Sequence, residues 1–217
     1  MIMNTYDLIL YDLDGTIWDS IPVILKCFKH AYYEVFGSCE RSDDDLKSYI
    51  GLPLGETFAM HDEKTAKALL AAYLNINGKL LAEDAIDLYD GVMEELIAIK
   101  KLGIAQGYVT SKRRVSADVT LRLKHLDDFF DVCICKEDTD KHKPDPDPLI
   151  IAAGRLRITD MSRVIYIGDA LGDALCAKNA GAGFALVDWS LMDKEAIISA
   201  APKGSRIINR FSEVLEM

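Results

Sequence analysis

The chain has 217 residues, half of them hydrophobic and 28% charged, with a net charge of −10. This length and apolar content suit one α/β domain, or one carrying a smaller insertion, and exclude a disordered chain or a repeat array. The acidic balance argues against binding nucleic acid or an anionic membrane, both of which need clustered Lys and Arg, yet leaves room for a small anion held by a few converging cations. Five cysteines are scattered without metal-type spacing, and no apolar run approaches transmembrane length or resembles a leader, so reduced thiols in a cytoplasmic protein are expected. Neither composition nor periodicity fixes an oligomeric state.

In chain order, Tyr6 to Tyr11 predicts the first strand. A long stretch of helical periodicity follows. Ser20 with Pro22 starts a helix running to about Phe36, Asp43 to Ile50 reads as a second and Glu63 to Leu74 as a third. The Tyr89-Asp90-Gly91 turn is the natural return point. Residues 16–89 are therefore expected to form a helical cap inserted into a core made of residues 1–15 and 90–217. From there, short apolar runs alternate with amphipathic segments. Strands are predicted at Ile104 to Val109, Asp131 to Cys135, Val164 to Ile167 and Phe184 to Val187. Helices are predicted at Val92 to Leu102, Arg114 to Leu126, Pro148 to Leu156 and Asp173 to Ala180, with Gly103 and Gly181 where C-caps belong. This alternation specifies βαβ units, hence an α/β, Rossmann-like parallel sheet. Cys133 and Cys135, two apart on a strand, should face the same side.

The residues that carry chemistry stand after successive strands, where parallel sheets bind ligands. Asp12-Leu13-Asp14-Gly15-Thr16 follows the first strand, setting two carboxylates beside a glycine that allows a sharp turn. Thr110-Ser111 follows the second strand, and a hydroxyl with adjacent backbone N–H groups suits phosphate oxygens. Lys143-Pro144 follows the third and offers a cation for phosphate. Gly168-Asp169 ends the fourth, with Asp173 four residues on. For Asp173, a helix N-cap is as strong a reading as a functional one. Acids gathered this closely repel unless a cation neutralises them, and hard oxygen ligands in small number suit Mg²⁺. The four histidines, His30, His61, His125 and His142, are dispersed and form no competing metal cluster.

This ordered set resembles the haloacid dehalogenase (HAD) superfamily of hydrolases across nearly the whole chain, with the helical insertion similar to that superfamily's small cap. Asp19-Ser20, Ile50-Gly51-Leu52-Pro53-Leu54 and Lys143-Pro144-Asp145-Pro146 are in the style of its phosphoglycolate phosphatase-like branch. The resemblance implies a HAD fold and a Mg²⁺-dependent phosphatase acting on a small phosphorylated substrate. Asp12 would be the nucleophile and Asp14 the general acid and base. Mg²⁺ would be held by Asp12, by the backbone carbonyl of Asp14 and by Asp169, with Asp173 behind them or as an alternative ligand. Thr110, Ser111 and Lys143 would clamp the phosphoryl oxygens, and the cap would close over the site. Asp14 decides against carbon–halogen cleavage, whose leaving group needs no proton. Two alternatives stand behind hydrolysis. One is a sugar phosphomutase, although Ile24 occupies the position where such enzymes tend to carry His. The other is a non-catalytic phospholigand binder, which would be expected to have lost these acids. The branch includes enzymes acting on phosphoglycolate, pyrophosphate, nucleotides and sugar phosphates. The insertion offers the cations Arg41, Lys47, Lys64 and Lys67, more simply read as solvated helix charges.

Overall fold

The apolar run before Asp12 becomes strand β1 (Leu8–Tyr11), whose four residues are all buried, as a strand covered on both faces must be. The computed structural model describes residues 6–217 except Gly51 and Pro53, so those two positions of the Ile50–Leu54 stretch lie outside the described residues. After β1 come the two-residue β2 (Trp18–Asp19), helices α1 (Ile21–Phe36), α2 (Asp43–Lys47), α3 (Leu54–Thr57) and α4 (Glu63–Ala82), and the two-residue β3 (Asp87–Leu88). The chain then alternates: α5 (Val92–Lys101), β4 (Ala105–Val109), α6 (Arg114–Leu123), β5 (Val132–Ile134), α7 (Asp147–Arg155), β6 (Val164–Gly168), α8 (Leu171–Ala180), β7 (Gly183–Val187), α9 (Lys194–Ala200) and β8 (Arg206–Ile208). Two compact units result. One runs to Trp18 and resumes at Leu88, and the other is Asp19–Asp87.

The first unit is built on a six-stranded sheet of order β5-β4-β1-β6-β7-β8, parallel throughout. Strand β1 lies between β4 and β6, in register Tyr11 to Tyr108 and Tyr11 to Ile167. From β1 the strand order runs one way to β4 and β5 and the other way to β6, β7 and β8. That reversal is the topological switch point, where side chains just beyond the strands share a crevice. Leu8, Leu10, Val109, Ile134, Tyr166 and Phe184 pack one face of the sheet against α7 and α8 residues such as Leu149 and Ala177. Each fully buried large side chain contributes about 1.5–3 kcal/mol. Buried Gln106 on β4 is tolerated because its amide is used: Nε2 donates to the Leu96 carbonyl at 3.1 Å, and Oε1 accepts from Tyr11 Oη at 2.8 Å.

In the second unit, α1 begins with Pro22 in its first turn and stops at Gly37 in the left-handed region, φ +80°. Its buried Phe28 meets Phe58 and Tyr73 edge-on or tilted, with ring centroids 5.8 and 5.0 Å apart. Helix α4 starts on an Asp62 cap and continues to Ala82, beyond the predicted end at Leu74. The polar Asn75 and Asn77 interrupt its apolar periodicity, yet Asn77 is buried and donates to Cys27 Sγ on α1 at 3.7 Å, so packing overrides the local pattern. Strand β8 and helix α9 lie beyond the last predicted strand. β8 is short, at the sheet edge and mostly exposed, and so carries little hydrophobic signal. Cys133 on β5 and Cys135 just beyond it both lie beside Tyr108. Among the described residues no helix is long and apolar enough to cross a membrane.

Candidate active site

Asp12 is the first residue beyond β1, and its N–H still joins the sheet, donating to the Ile167 carbonyl at 2.8 Å. The chain then turns tightly, the N–H groups of Thr16, Ile17 and Trp18 all donating to the Leu13 carbonyl. Gly15 makes the turn with φ +81°, and a Cβ there would lie 2.3 Å from Asp169 Oδ2. Only glycine satisfies both conditions. The turn brings Trp18 Nε1 within 2.8 Å of Asp14 Oδ1, to which it donates.

On the neighbouring strand, β6 ends at Gly168, where an added Cβ would meet Asp173 Oδ2 at 2.5 Å. Asp173 is not the N-cap of α8, which is Ala170, but lies in its first turn and reaches back: its Oδ2 accepts from the N–H groups of Asp169 (3.2 Å) and Ala170 (3.0 Å). Its Oδ1 accepts from Lys143 Nζ at 2.6 Å and lies 3.2 Å from Tyr166 Oη. One oxygen of the carboxylate thus secures the start of the helix and the other faces the site. Tyr166 donates its hydroxyl proton to the Val109 carbonyl at 2.7 Å and accepts from Lys143 at 3.1 Å.

Lys143, its side chain only 9% exposed, also lies 3.1 Å from Asp12 Oδ1. The pair is ionic without hydrogen-bond geometry, so Asp12 Oδ1 is buried with no hydrogen-bond partner. Asp169 receives the Thr16 hydroxyl only at 3.5 Å. Burial pushes the Asp12 carboxyl up to about 7, with Lys143 opposing the rise and the charges of Asp173 and Asp14 adding to it. Asp169 is held well above the ordinary carboxylate range by burial and by its neighbours Asp173 and Asp12. Lys143 is held above its ordinary value because Asp12 and Asp173 outweigh the effect of burial.

Thr110, the first residue beyond β4, is buried and donates its N–H to the Ile134 carbonyl at 2.9 Å. Thr110, Ser111 and Lys143 line one small hollow, together with Cys135, Thr139 and His142. Asp12, Asp14, Asp169 and Asp173 are not part of that lining. A residue the sequence reading missed is Lys112, whose Nζ donates to both oxygens of Asp14 at 2.9 and 3.0 Å. Its signal was faint: a lysine in a turn two residues after Thr110 reads as a solvated charge.

Carboxylate oxygens of Asp12, Asp169 and Asp173 lie within 4.8 Å of one another. Both oxygens of Asp173 are already engaged, whereas Asp12 Oδ1 is unbonded and Asp169 is barely bonded. Four acids, Asp12, Asp14, Asp169 and Asp173, face two ammonium groups, Lys112 and Lys143. With all four ionised the excess is two negative charges, the charge of one divalent cation, and hard oxygen donors suit Mg²⁺ or Mn²⁺. Stability should reflect this. With folded-state values above the ordinary ones, the metal-free fold holds extra protons on Asp12 and Asp169, so its stability falls as pH rises from the ordinary carboxylate range through about 7. Added Mg²⁺ is expected to raise the melting temperature more at about pH 8 than at about pH 5. Calorimetry at both pH values checks this, and equal shifts would contradict the fit.

Residues 9–187 match the haloacid dehalogenase-like hydrolase family. The chain belongs to the haloacid dehalogenase-like hydrolases. It is 30% identical over 217 residues to pyrophosphatase PpaX of Bacillus thuringiensis, an alignment covering 99% of this chain and 96% of that one. Among solved structures, a predicted phosphatase from Clostridium acetobutylicum matches it with a TM-score of 0.82 at 26% identity, over 97% of each chain. A predicted phosphoglycolate phosphatase from Haemophilus somnus reaches 0.85 at 22% identity, over 99% of this chain and 98% of that one, a likeness of fold alone. The six-stranded parallel sheet is the haloacid dehalogenase fold, and the chain is a hydrolase.

Proposed function

We propose that this hydrolase is a cytoplasmic, Mg²⁺-dependent phosphatase that cleaves a small phosphate ester or pyrophosphate through a phosphorylated Asp12. The observation that carries the reading is the Asp12 carboxylate: buried at the end of the central strand, beside Lys143, with one oxygen free of any hydrogen bond. A carboxylate oxygen that no hydrogen bond occupies, paired only with an ammonium group, is what a nucleophile requires. The names carried by the relatives, pyrophosphatase and phosphatase, support the same class. Five free cysteines accord with a reducing compartment.

In this reading Asp12 attacks phosphorus, and Lys143, fixed by Asp173 and Tyr166, spreads the charge of the transferred phosphoryl group. The Thr110 hydroxyl and the Ser111 N–H hold further phosphoryl oxygens. Asp14 gives its proton to the departing oxygen. It then takes one from the water that releases phosphate from Asp12. We assign the metal to Asp12, Asp169 and the Asp14 carbonyl, with Asp173 orienting Lys143 from behind them. Bound there, Mg²⁺ would shield the nucleophile and phosphate from each other's charge. The Asp19–Asp87 unit is assigned as the substrate-selecting cap.

The test is phosphate release from pyrophosphate, phosphoglycolate, nucleoside monophosphates and sugar phosphates, with Asp12→Asn as the blank. Chelation is expected to stop release and Mg²⁺ to restore it. Chelator-resistant release would remove the metal from the reading. If no compound releases phosphate, isomerisation of a sugar phosphate would mark the mutase instead.

A further inference from the structure

Lys112 is joined to the site by more than charge. Its side chain is 10% exposed and that of Asp14 20%. Its ammonium donates to both Asp14 oxygens, and its own N–H donates to Thr110 Oγ1 at 3.2 Å, so the turn that carries Thr110 and Ser111 also fixes this cation. Trp18 Nε1 already orients the Asp14 carboxylate. A second, charged donor on both oxygens exceeds what orientation alone requires. Lys143, by contrast, serves Asp12 and Asp173. The two ammonium groups are thus divided, one to the nucleophile and one to the acid that meets the departing oxygen.

We propose that Lys112 is the leaving-group cation of this site and biases it toward substrates whose leaving group is itself an anion, foremost a diphosphate. The proposal rests on the assignment of Asp12 and Asp14 above. Any oxygen that Asp14 reaches by a hydrogen bond stands within roughly 6 Å of Lys112 Nζ. At that distance, in a site largely withdrawn from water, a negative charge on the leaving group is held and a neutral alcohol gains nothing. With pyrophosphate, a bond forms from Asp12 to one phosphorus while the bond from that phosphorus to the bridging oxygen breaks. The bridging oxygen keeps the electron pair, takes the proton from Asp14 and leaves as phosphate beside Lys112. Water then bonds to the phosphorus on Asp12, the electron pair of the broken bond returns to the Asp12 carboxylate, and the water's proton goes to Asp14. Two phosphates result.

The experiment compares kcat/KM for pyrophosphate and glycerol phosphate in wild type, Lys112→Gln and Lys112→Arg at saturating Mg²⁺. Wild type should prefer pyrophosphate. Both activities should fall in Lys112→Gln, pyrophosphate by roughly tenfold or more beyond glycerol phosphate, and Lys112→Arg should recover much of the preference. Inhibition by methylenediphosphonate against methylphosphonate should show the same contrast without turnover of a poor substrate. Equal losses on both substrates with no change in relative inhibition would overturn the proposal and leave Lys112 as a holder of Asp14. A wild-type preference for glycerol phosphate would overturn it as well. Release that survives Asp12→Asn would instead refute the phosphatase reading on which it rests.

Discussion

Asp12→Asn is expected to lower phosphate release by about 10⁴-fold or more, because an amide cannot replace the carboxylate that attacks phosphorus. The fold should survive. Asn keeps the shape of the side chain, and Asp12 spends stability on being charged while buried, as its raised carboxyl pKa of about 7 indicates. The metal-free variant should therefore melt no lower than wild type at about pH 8. Loss of activity with stability retained is the signature of a nucleophile. Loss of both would mark Asp12 as structural.

Lys143→Ala should damage both activity and stability. One ammonium there serves Asp12, Asp173 and Tyr166. Its removal takes a fixed positive charge from the transferred phosphoryl group, an effect of about 10²–10³ in kcat. It also leaves buried carboxylates without their partner, which costs about 3–5 kcal/mol. Lys143→Arg should not rescue the rate, since a planar guanidinium cannot reproduce three contacts made by one compact ammonium in a site this enclosed. Stopped-flow turnover and chemical denaturation check the two effects separately. An unchanged kcat would reduce Lys143 to a structural residue.

The site was legible to the extent that its chemistry is written at strand ends. Asp12, Thr110 and Asp169 each follow a short apolar run directly, so a parallel sheet brings them together whatever the helices do. Glycines that sequence reading attributes to turns prove more constrained: Gly15 and Gly168 each press against an acid of the cluster. What the sequence withheld is pairing. Lys112 and Asp14 are 98 residues apart, and nothing local distinguishes that lysine from a solvated one. Nor could spacing tell that Asp173 has both oxygens engaged, a fact that depends on Tyr166 and Lys143 arriving from two other segments. Helix α4 was read short because polar Asn75 and Asn77 look like a stop until the burial of Asn77 against α1 is known. Strand β8 was missed because an exposed edge strand has no apolar run to announce it.

The central claim is that phosphate passes through Asp12, and trapping the phosphorylated enzyme tests it most directly. Wild type in turnover with pyrophosphate and Mg²⁺ would be quenched, reduced with borohydride and digested for mass spectrometry. A phosphorylated aspartate reduces to homoserine, so the account predicts homoserine at position 12 that disappears without substrate. Rapid turnover with Asp12 unmodified, or with the label on another residue, would contradict it.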